Sequence, residues 1–341
     1  MNMIFLFIEI CYSYVNSKRK AGILMFKING FHKGINLGGW LSQCDYSDDR
    51  LNNFIKEEDF KKIASWGFDH VRIPVDYNVL ENDNNGFRED GFSRINWALE
   101  MCHKYSLNVV IDLHKTAGFS FDNYGENESG FFDNEQLQER FYRLWEEIAR
   151  HYGQYPENVI FELLNEVTEK SYIYAWNKIS NECIRRIRMI APDTIILVGS
   201  YENNSASALT ALTAPYDDKV AYNFHCYEPL KFTHQGAYWT DIINPEKRLT
   251  FDESNITPEF FEELFAPAIE KAKVNNTLLY CGEYGVIDLV SPEDTVKWYK
   301  TINTVFEKYG ISRCLWSYKE MDFGFSDSRL DKVRNELLKF V

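Results

Sequence analysis

The sequence lacks the short signatures of several common functional classes. Its 341 residues contain no basic stripe, no Cys/His spacing typical of a metal site, no glycine-rich phosphate loop and no short-period repeat. The formal net charge is −14 and is spread along the chain, which argues against nucleic acids and anionic membranes as partners. We therefore expect an uncharged ligand, no cofactor and no bound metal.

The number of cysteines, seven, is odd. Several of the seven lie in apolar runs, where buried free thiols are common. We expect them to be reduced. The cysteines are Cys11, Cys44, Cys102, Cys183, Cys226, Cys281 and Cys314.

A long apolar run is also missing. The opening stretch MNMIFLFIEI is too short to span a bilayer, carries Glu9, and is followed instead of preceded by basic residues, unlike a signal peptide. Sequence typical of a folded domain begins directly after Met25. We interpret residues 1–25 as an N-terminal extension or degenerate leader and residues 26–341 as one folded domain. A cytoplasmic location is favoured over secretion.

What is present is a high apolar content, distributed in short runs. Hydrophobic residues make up 45% of the chain and aromatic residues 16%, which is enough for a large core. Eight runs are rich in apolar or β-branched residues, as buried strands are. They lie at residues 32–39, 69–75, 108–114, 158–166, 194–200, 219–227, 277–285 and 312–318.

Amphipathic helical patterns separate these runs. In residues 134–153 the apolar positions share one helical face. In residues 291–310, Ser291 can cap the first turn and Asp294 can complete a capping box. Continuously apolar strands that alternate with helices predict parallel strands buried on both faces, and eight such units predict a closed (β/α)8 barrel.

A doubly wound parallel sheet is the competing architecture. That fold normally carries a G-x-G-x-x-G turn after an early strand, and the stretch GINLGGW lacks this order. The segment from 228 to about 255 is longer than an ordinary connection and contains Tyr238 and Trp239. We predict that it is an insertion after strand six that lies over one face of the barrel and helps to shape a cleft.

In a barrel of this kind, functional side chains lie at the carboxyl ends of the strands. Polar and aromatic residues are predicted at six of these ends, all facing one mouth. They are Arg72 on strand two, His114 on strand three, Asn165 and Glu166 on strand four, His225 and Tyr227 on strand six, Glu283 on strand seven and Trp316 on strand eight.

The functional prediction depends on Glu166 and Glu283, which come from strands on opposite sides of the mouth. Hydrolysis of a glycosidic bond requires two such carboxyl groups, one to protonate the leaving oxygen and one to meet the anomeric carbon. Taken alone, each residue of the mouth has a structural explanation, such as an ion-pair partner for Arg72 or a core ring for Trp316. Their common placement favours a function.

Other conspicuous residues are assigned to structure. Asp112 lies two positions before the mouth, and we expect it to face a neighbouring strand or an arginine. Trp97 and Trp145 fall on helical stripes and are expected to pack. Trp40, just after GINLGG, either stacks on a sugar or belongs to the core.

In combination, these motifs resemble glycoside hydrolase family 5, the cellulase family of retaining (β/α)8 hydrolases, and in particular its compact endoglucanases. The matching pieces occur in family order and span residues 34 to 318: GINLGGW, HVRIP, VIDLH, FELLNE, NFHCY, YCGEYG and LWSY. The resemblance implies that residues 26–341 form the catalytic barrel. Lys115 is a departure, since many relatives have a second His or a small residue there, and it bears on glucan preference.

The resemblance also implies a role for each residue of the mouth. Glu166 is implied as the acid/base and Glu283 as the nucleophile, with Asn165 binding the sugar 2-hydroxyl. By the same resemblance, His225 and Tyr227 orient the carboxylates, and Arg72 keeps the nucleophile ionised. His114 lines the central subsite, and Trp316 forms its floor.

The resulting hypothesis is retaining hydrolysis of a β-linked glucan by a protein that we expect to be a monomer. A β-mannanase, an exo-β-glucosidase or a transglycosylase would use the same residues. A metal-dependent barrel hydrolase with His114, His225 and Glu283 as ligands and a non-catalytic glucan-binding barrel are further alternatives. The sequence leaves linkage preference and endo or exo action open.

Overall fold

The computed structural model describes residues 26–82, 84, 86–122, 128–240 and 242–341, so the predicted extension over residues 1–25 lies outside the described residues. Eight parallel strands form a closed barrel, in which β1 pairs with both β2 and β8. The predicted (β/α)8 fold is confirmed, and each predicted run overlaps one strand. The strands are β1 Lys33–Asn36, β2 His70–Asp76, β3 Asn108–Lys115, β4 Val159–Glu162, β5 Ile196–Val198, β6 Val220–Cys226, β7 Leu279–Tyr284 and β8 Ser312–Leu315.

Helices connect the strands. The α-helices are α1 Asp48–Asn53, α2 Glu57–Ser65, α3 Tyr77–Leu80, α4 Glu89–Lys104, α5 Glu135–Tyr152, α6 Ile173–Arg188, α7 Leu230–Thr233, α8 Pro258–Asn275, α9 Pro292–Tyr309 and α10 Arg334–Leu337. Short 3-10 helices cover Lys170–Tyr172, Ser207–Ala211, Asp252–Ser254 and Ser328–Leu330, and a single turn covers Tyr201–Asn204. Among the described helices, none combines the length and the apolar character needed to cross a bilayer.

The boundaries of the two predicted helical stretches follow from their capping residues. Asn134 caps the first turn of α5 and Ser291 that of α9, each through its side-chain oxygen. Gly310 ends α9 with φ +65°, a conformation that glycine adopts readily. The Asp294 carboxylate accepts a hydrogen bond from Phe251 N–H at 3.1 Å. It therefore ties α9 to the segment after β6. In the predicted capping box it would instead bond back to the N–H of Ser291.

The barrel interior is apolar at its amino end. Side chains from six strands form this layer together with two residues that precede β1: Ile28, Phe31, Val110, Ile160, Leu197, Ala221, Tyr280 and Cys314. The Tyr280 hydroxyl in this layer lies 2.7 Å from His70 Nε2. A much larger apolar core joins the outer faces of the strands to the helices. The apolar interior layer fills the barrel below the functional mouth.

Two strand ends differ from the prediction. β2 continues to Asp76, so Arg72 lies inside the strand and its long side chain reaches the mouth from within the barrel. β4 ends at Glu162, and the chain stays close to β3 beyond it, with Asn165 N–H donating to Leu113 O at 3.1 Å. Asn165 and Glu166 therefore follow the strand instead of ending it.

The segment after β6 lies beside the mouth, as predicted. Tyr238 is 83% exposed and Trp239 is 46% exposed. A chain of ring contacts links the segment to the mouth: the ring of Trp239 lies 6.5 Å from that of Phe323, and Phe323 lies 5.7 Å from Tyr227. Exposed aromatic rings thus flank the opening of the barrel.

Candidate active site

The structure brings the eight predicted residues of the mouth together at the carboxyl end of the barrel. All lie in or directly after a strand, and all but one are buried: Arg72, His114, Asn165, Glu166, His225, Glu283 and Trp316, with Tyr227 half-buried. Glu166 is 8% exposed and Glu283 is 5% exposed. Both carboxyl groups therefore reach the surface only at the mouth.

Glu166 and Glu283 face each other across a short gap. One oxygen of each carboxyl group and one nitrogen of His225 all lie within 4.8 Å of one another. Retaining glycosidases place their two carboxyl groups about 5–5.5 Å apart, and inverting enzymes place them roughly 6.5–9.5 Å apart. The gap is therefore suited to a direct attack by one of the carboxylates on a sugar.

A local irregularity in β7 aims Glu283 into the gap. Around Gly282 the pairing of β7 with both β6 and β8 shifts in register, and Glu283 comes opposite His225. Such bulges redirect side chains next to active sites. A Cβ atom at Gly282 would lie 2.8 Å from Asn223 Oδ1 and 2.9 Å from His225 Nε2, closer than real Cβ atoms approach. The site therefore requires glycine at this position.

Each oxygen of Glu283 accepts one strong hydrogen bond. Arg72 Nη1 donates to Oε1 at 2.8 Å, and the Tyr227 hydroxyl donates to Oε2 at 2.8 Å. Burial and the neighbouring carboxylates hold the pKa of Tyr227 well above its usual value, so its hydroxyl keeps the proton that it donates. Donors of this kind stabilise negative charge on a carboxylate and fix its orientation.

Glu166 occupies a different electrostatic environment. Burial raises its pKa from 4.5 to about 7, against a smaller opposing effect of the hydrogen bond from Asn203. Asn203 Nδ2 donates to Oε2 at 2.8 Å, and His225 Nδ1 lies 2.7 Å from Oε1. At neutral pH this carboxyl group can therefore carry a proton and also give it up.

His225 connects the two carboxyl groups. Its Nδ1 lies 2.7 Å from Glu166 and 3.7 Å from Glu283. Burial lowers the pKa of His225, so the ring is neutral at neutral pH. Its Nε2 is buried and has no hydrogen-bond partner among the described residues. We therefore assign the ring proton to Nδ1, where it can be donated to Glu166.

Arg72 is the central cation of the site. Its guanidinium also donates to both oxygens of Glu162, at 2.7 and 2.8 Å, and to Asn165 Oδ1 at 2.8 Å. A third carboxylate, that of Asp112, lies 3.0 Å from Nη2. The prediction that Asp112 faces an arginine is confirmed. The fifth N–H group of Arg72 donates to Asn36 Oδ1 at 2.8 Å, so every N–H of the guanidinium has an acceptor and its position is fixed.

His114 and Trp316 form one wall of the site. Their rings are stacked, with centroids 5.9 Å apart and an interplanar angle of 2°. His114 Nδ1 lies 2.5 Å from Asp112 Oδ2, and burial lowers the pKa of His114 well below its usual value. A Cβ at Gly38 would lie 2.9 Å from the Trp316 ring, so Gly38 of the GINLGG stretch leaves room for that ring.

Sequence reasoning missed four polar residues of the site. Glu162 and Asn223 are buried in the barrel and joined by a hydrogen bond of 2.8 Å, and Asn36 Nδ2 donates to Gly282 O at 3.0 Å. Asn203 is the fourth. Glu162 could have been predicted, because it is a carboxylate inside the apolar run 158–166. Like Glu166 in the same run, a buried carboxylate there needs a partner or a function.

The other conspicuous residues of the sequence are three tryptophans and Lys115. Trp40 is a core residue, buried with its Nε1 donating to Leu51 O at 2.9 Å. Trp145 is buried and Trp97 is half-buried against aromatic neighbours, as expected. Lys115 is buried at the mouth and pairs with Asp122 at 3.1 Å.

Among the residues that the structure describes, Glu166, His225 and Glu283 are the group that could hold a metal ion, because their donor atoms are close together. The residues around them fit this role poorly. The Arg72 guanidinium is 2.8 Å from Glu283, and His225 directs Nδ1 at Glu166. A divalent cation there would lie next to a fixed positive charge.

Known proteins share this architecture and these motifs. The family model for cellulase (glycosyl hydrolase family 5) matches residues 29–322. Cellodextrinase A of Ruminococcus flavefaciens is 62% identical over 289 residues, covering 85% of this chain and 86% of the relative. Endoglucanase C of Acetivibrio thermocellus is 36% identical over 338 residues, covering 91% and 98%. The crystal structure of endoglucanase Cel5A from Thermotoga maritima has a TM-score of 0.77 at 28% identity, covering 92% and 97%. The chain belongs to glycoside hydrolase family 5, the cellulase family.

Proposed function

We propose that this glycoside hydrolase cleaves β-linked glucans with retention of configuration, with Glu166 as the acid/base and Glu283 as the nucleophile. The observation that carries the proposal is the pair of facing carboxyl groups. One oxygen of each lies within 4.8 Å of an oxygen of the other, and the two groups have different hydrogen-bond partners. Glu283 accepts hydrogen bonds from the cationic Arg72 and from the Tyr227 hydroxyl, whereas burial raises the pKa of Glu166 to about 7, so that Glu166 holds a proton near neutral pH.

In the first half-reaction, a Glu283 oxygen forms a bond to the anomeric carbon as the bond from that carbon to the leaving oxygen breaks. Glu166 gives its proton to the leaving oxygen, so the departing sugar leaves as a neutral alcohol. Arg72 and Tyr227 hold the Glu283 carboxylate in line, each at 2.8 Å. His225 keeps Glu166 facing the same gap from 2.7 Å.

In the second half-reaction, Glu166 is a carboxylate and takes a proton from a water molecule. The water oxygen bonds to the anomeric carbon, and the ester bond to Glu283 breaks. Two inversions at one carbon give net retention. Glu166 ends the cycle protonated, as it began.

Several polar atoms are placed to bind the sugar. Asn165 Nδ2 is buried and has no hydrogen-bond partner within the described ranges, while its Oδ1 is held by Arg72. An unpaired buried donor is costly unless a ligand satisfies it, which supports binding of the 2-hydroxyl group by Asn165. The stacked rings of His114 and Trp316 supply the apolar surface that one face of a pyranose needs.

The substrate class is supported by the relatives and by charge. Relatives that align over most of the chain are named cellodextrinase and endoglucanase. A net charge of −14 is compatible with a neutral glucan. We propose β-1,4-linked gluco-oligosaccharides and glucans as substrates, with residues 26–341 as the catalytic domain.

The test compares Glu283→Gln with Glu135→Gln, a change at an exposed glutamate of α5. Release of reducing ends from cello-oligosaccharides, carboxymethylcellulose and barley β-glucan should be lost in the first variant and unchanged in the second. The sugar first released by the wild type should be the β-anomer in a proton NMR time course. An active Glu283→Gln variant or an α-anomer would refute the mechanism.

Three further measurements separate the alternatives. Cleavage of mannan in preference to all of these glucans would refute the substrate class and leave the chemistry standing. Loss of activity on dialysis against a chelator would favour a metal-dependent hydrolase. Binding of cello-oligosaccharides with no hydrolysis at all would identify a binding barrel.

A further inference from the structure

The turn after β5 has an unusual backbone. Three successive residues other than glycine have positive φ: Glu202 at +52°, Asn203 at +53° and Asn204 at +58°. L-residues rarely adopt this left-handed region, although asparagine tolerates it better than most. Backbone of this kind persists only where surrounding contacts hold it, and it is concentrated at functional sites.

The contacts that hold this turn come from the segment that carries Glu166. Glu202 N–H donates to Thr168 O at 3.0 Å, and Asn203 N–H donates to Val167 O at 3.1 Å. The buried side chain of Asn204 donates to Asn165 O at 3.1 Å. The segments after β4 and β5 are thereby joined at three points that flank the acid/base.

The left-handed backbone directs the Asn203 side chain at Glu166. Nδ2 donates to Oε2 at 2.8 Å, while the other oxygen of Glu166 faces His225 Nδ1 at 2.7 Å. Asn203 is exposed, whereas Glu166 and His225 are buried, so the amide approaches the carboxyl group from the open side of the mouth.

We propose that Asn203 is a positioning residue for the acid/base: it fixes the rotation of the Glu166 carboxyl group so that the proton points at the leaving oxygen. This inference rests on the proposed function of Glu166. The carboxyl group pivots about a torsion that is soft by itself. With donors on both oxygens, the group is held from two sides, and proton transfer requires that alignment.

The amide also favours the ionised form that Glu166 takes up when it acts as a base. Its hydrogen bond lowers the pKa of Glu166, against the larger effect of burial. Other titratable and charged groups face or surround Glu166 from β2, β3, β6, β7 and the neighbouring loops: Arg72, Asp112, Asp122, His225, Glu228 and Glu283. Removal of the amide alone leaves these groups in place, so the pKa of Glu166 should rise.

The test is Asn203→Gly, with Glu202→Gly as the matched control. Glycine adopts positive φ without strain, so both variants keep the turn while only the first loses the amide. Two cellobiosides are compared, one with a sugar as leaving group and one with 2,4-dinitrophenolate, which departs without a proton. We expect kcat/KM of Asn203→Gly to fall about 10–100-fold on the first and less than about threefold on the second.

The pH profile gives a readout that a purely structural role would not move. The alkaline limb of kcat/KM for the sugar substrate should shift upwards by about half a pH unit or more in Asn203→Gly and stay fixed in Glu202→Gly. Equal losses on both substrates with an unshifted limb would overturn the proposal.

A third variant separates this inference from the proposed function. Glu166→Ala should itself show the dependence on leaving group, and azide should accelerate its turnover of the dinitrophenyl substrate. If Glu166→Ala behaves in this way and Asn203→Gly behaves as the wild type, only the role of Asn203 is refuted. If Glu166→Ala shows no dependence on leaving group, the proposed function itself fails.

Discussion

Replacement of Glu166 by glutamine should stabilise the protein at alkaline pH while it abolishes hydrolysis of glucans. Burial raises the pKa of this carboxyl group from 4.5 to about 7. A carboxyl group whose folded-state pKa is raised binds more protons in the folded state than in the unfolded state. Stability is therefore lost as the pH rises from 4.5 through about 7, because folding must hold a charge that is better solvated in the unfolded chain.

The size of the effect follows from that interval. Each pH unit is worth about 1.4 kcal/mol, so the interval from 4.5 to about 7 corresponds to about 3 kcal/mol at full effect. Glutamine has nearly the same shape and carries no charge. Its oxygen can accept the hydrogen bond from Asn203, and its amide can donate to His225 Nδ1 once the proton of the neutral ring moves to the unpaired Nε2. Glu166→Gln should therefore match the wild type near pH 4 and exceed its free energy of unfolding by about 2–3 kcal/mol at pH 8.

Urea denaturation at pH 4, 5.5, 7 and 8 measures this difference directly. The exposed change Glu135→Gln serves as the control and should follow the wild type at every pH. If the free energies of unfolding of Glu166→Gln and the wild type differ by the same amount at every pH, the reasoning is refuted. That result would show that Glu166 has the same proton affinity in the folded and the unfolded state. A less stable variant at pH 8 would refute it as well.

Two other changes test the geometry of the site. Tyr227→Phe removes the donor 2.8 Å from Glu283 Oε2 and should lower kcat about 100-fold with an unchanged circular dichroism spectrum; wild-type turnover would contradict the role of the hydroxyl. Gly282→Ala places a Cβ against Asn223 and His225, and should lower the free energy of unfolding in urea by about 1–3 kcal/mol together with activity. Full stability and activity would show that the bulge tolerates a side chain.

The strands and the mouth could be predicted because their physical signals are local. A strand buried on both faces must be continuously apolar, and each of the eight predicted runs overlaps one strand. A carboxylate at the end of such a run requires an explanation, and this led to Glu166 and Glu283. Parallel topology then placed the two at the same end of the barrel.

The features that were missed depend on contacts distant in sequence. The role of Glu162 is evident only once Arg72 is seen to reach it from another strand, at 2.7 Å. The bulge at Gly282 leaves no periodic signal, since it inserts a single residue. Asn203 lies in a stretch rich in turn formers, and only the positive φ values in the structure show that its backbone is strained.

The contact between Arg72 and Glu283 exists only because the ring of strands is closed. β2 and β7 are linked through β8 and β1, whereas along an open sheet they would be five strand spacings apart, or about 24 Å. The closed ring brings the guanidinium to 2.8 Å from the carboxylate. Regain of hydrolysis during refolding would therefore report the joining of the first strand to the last, a step that the content of secondary structure alone would not reveal.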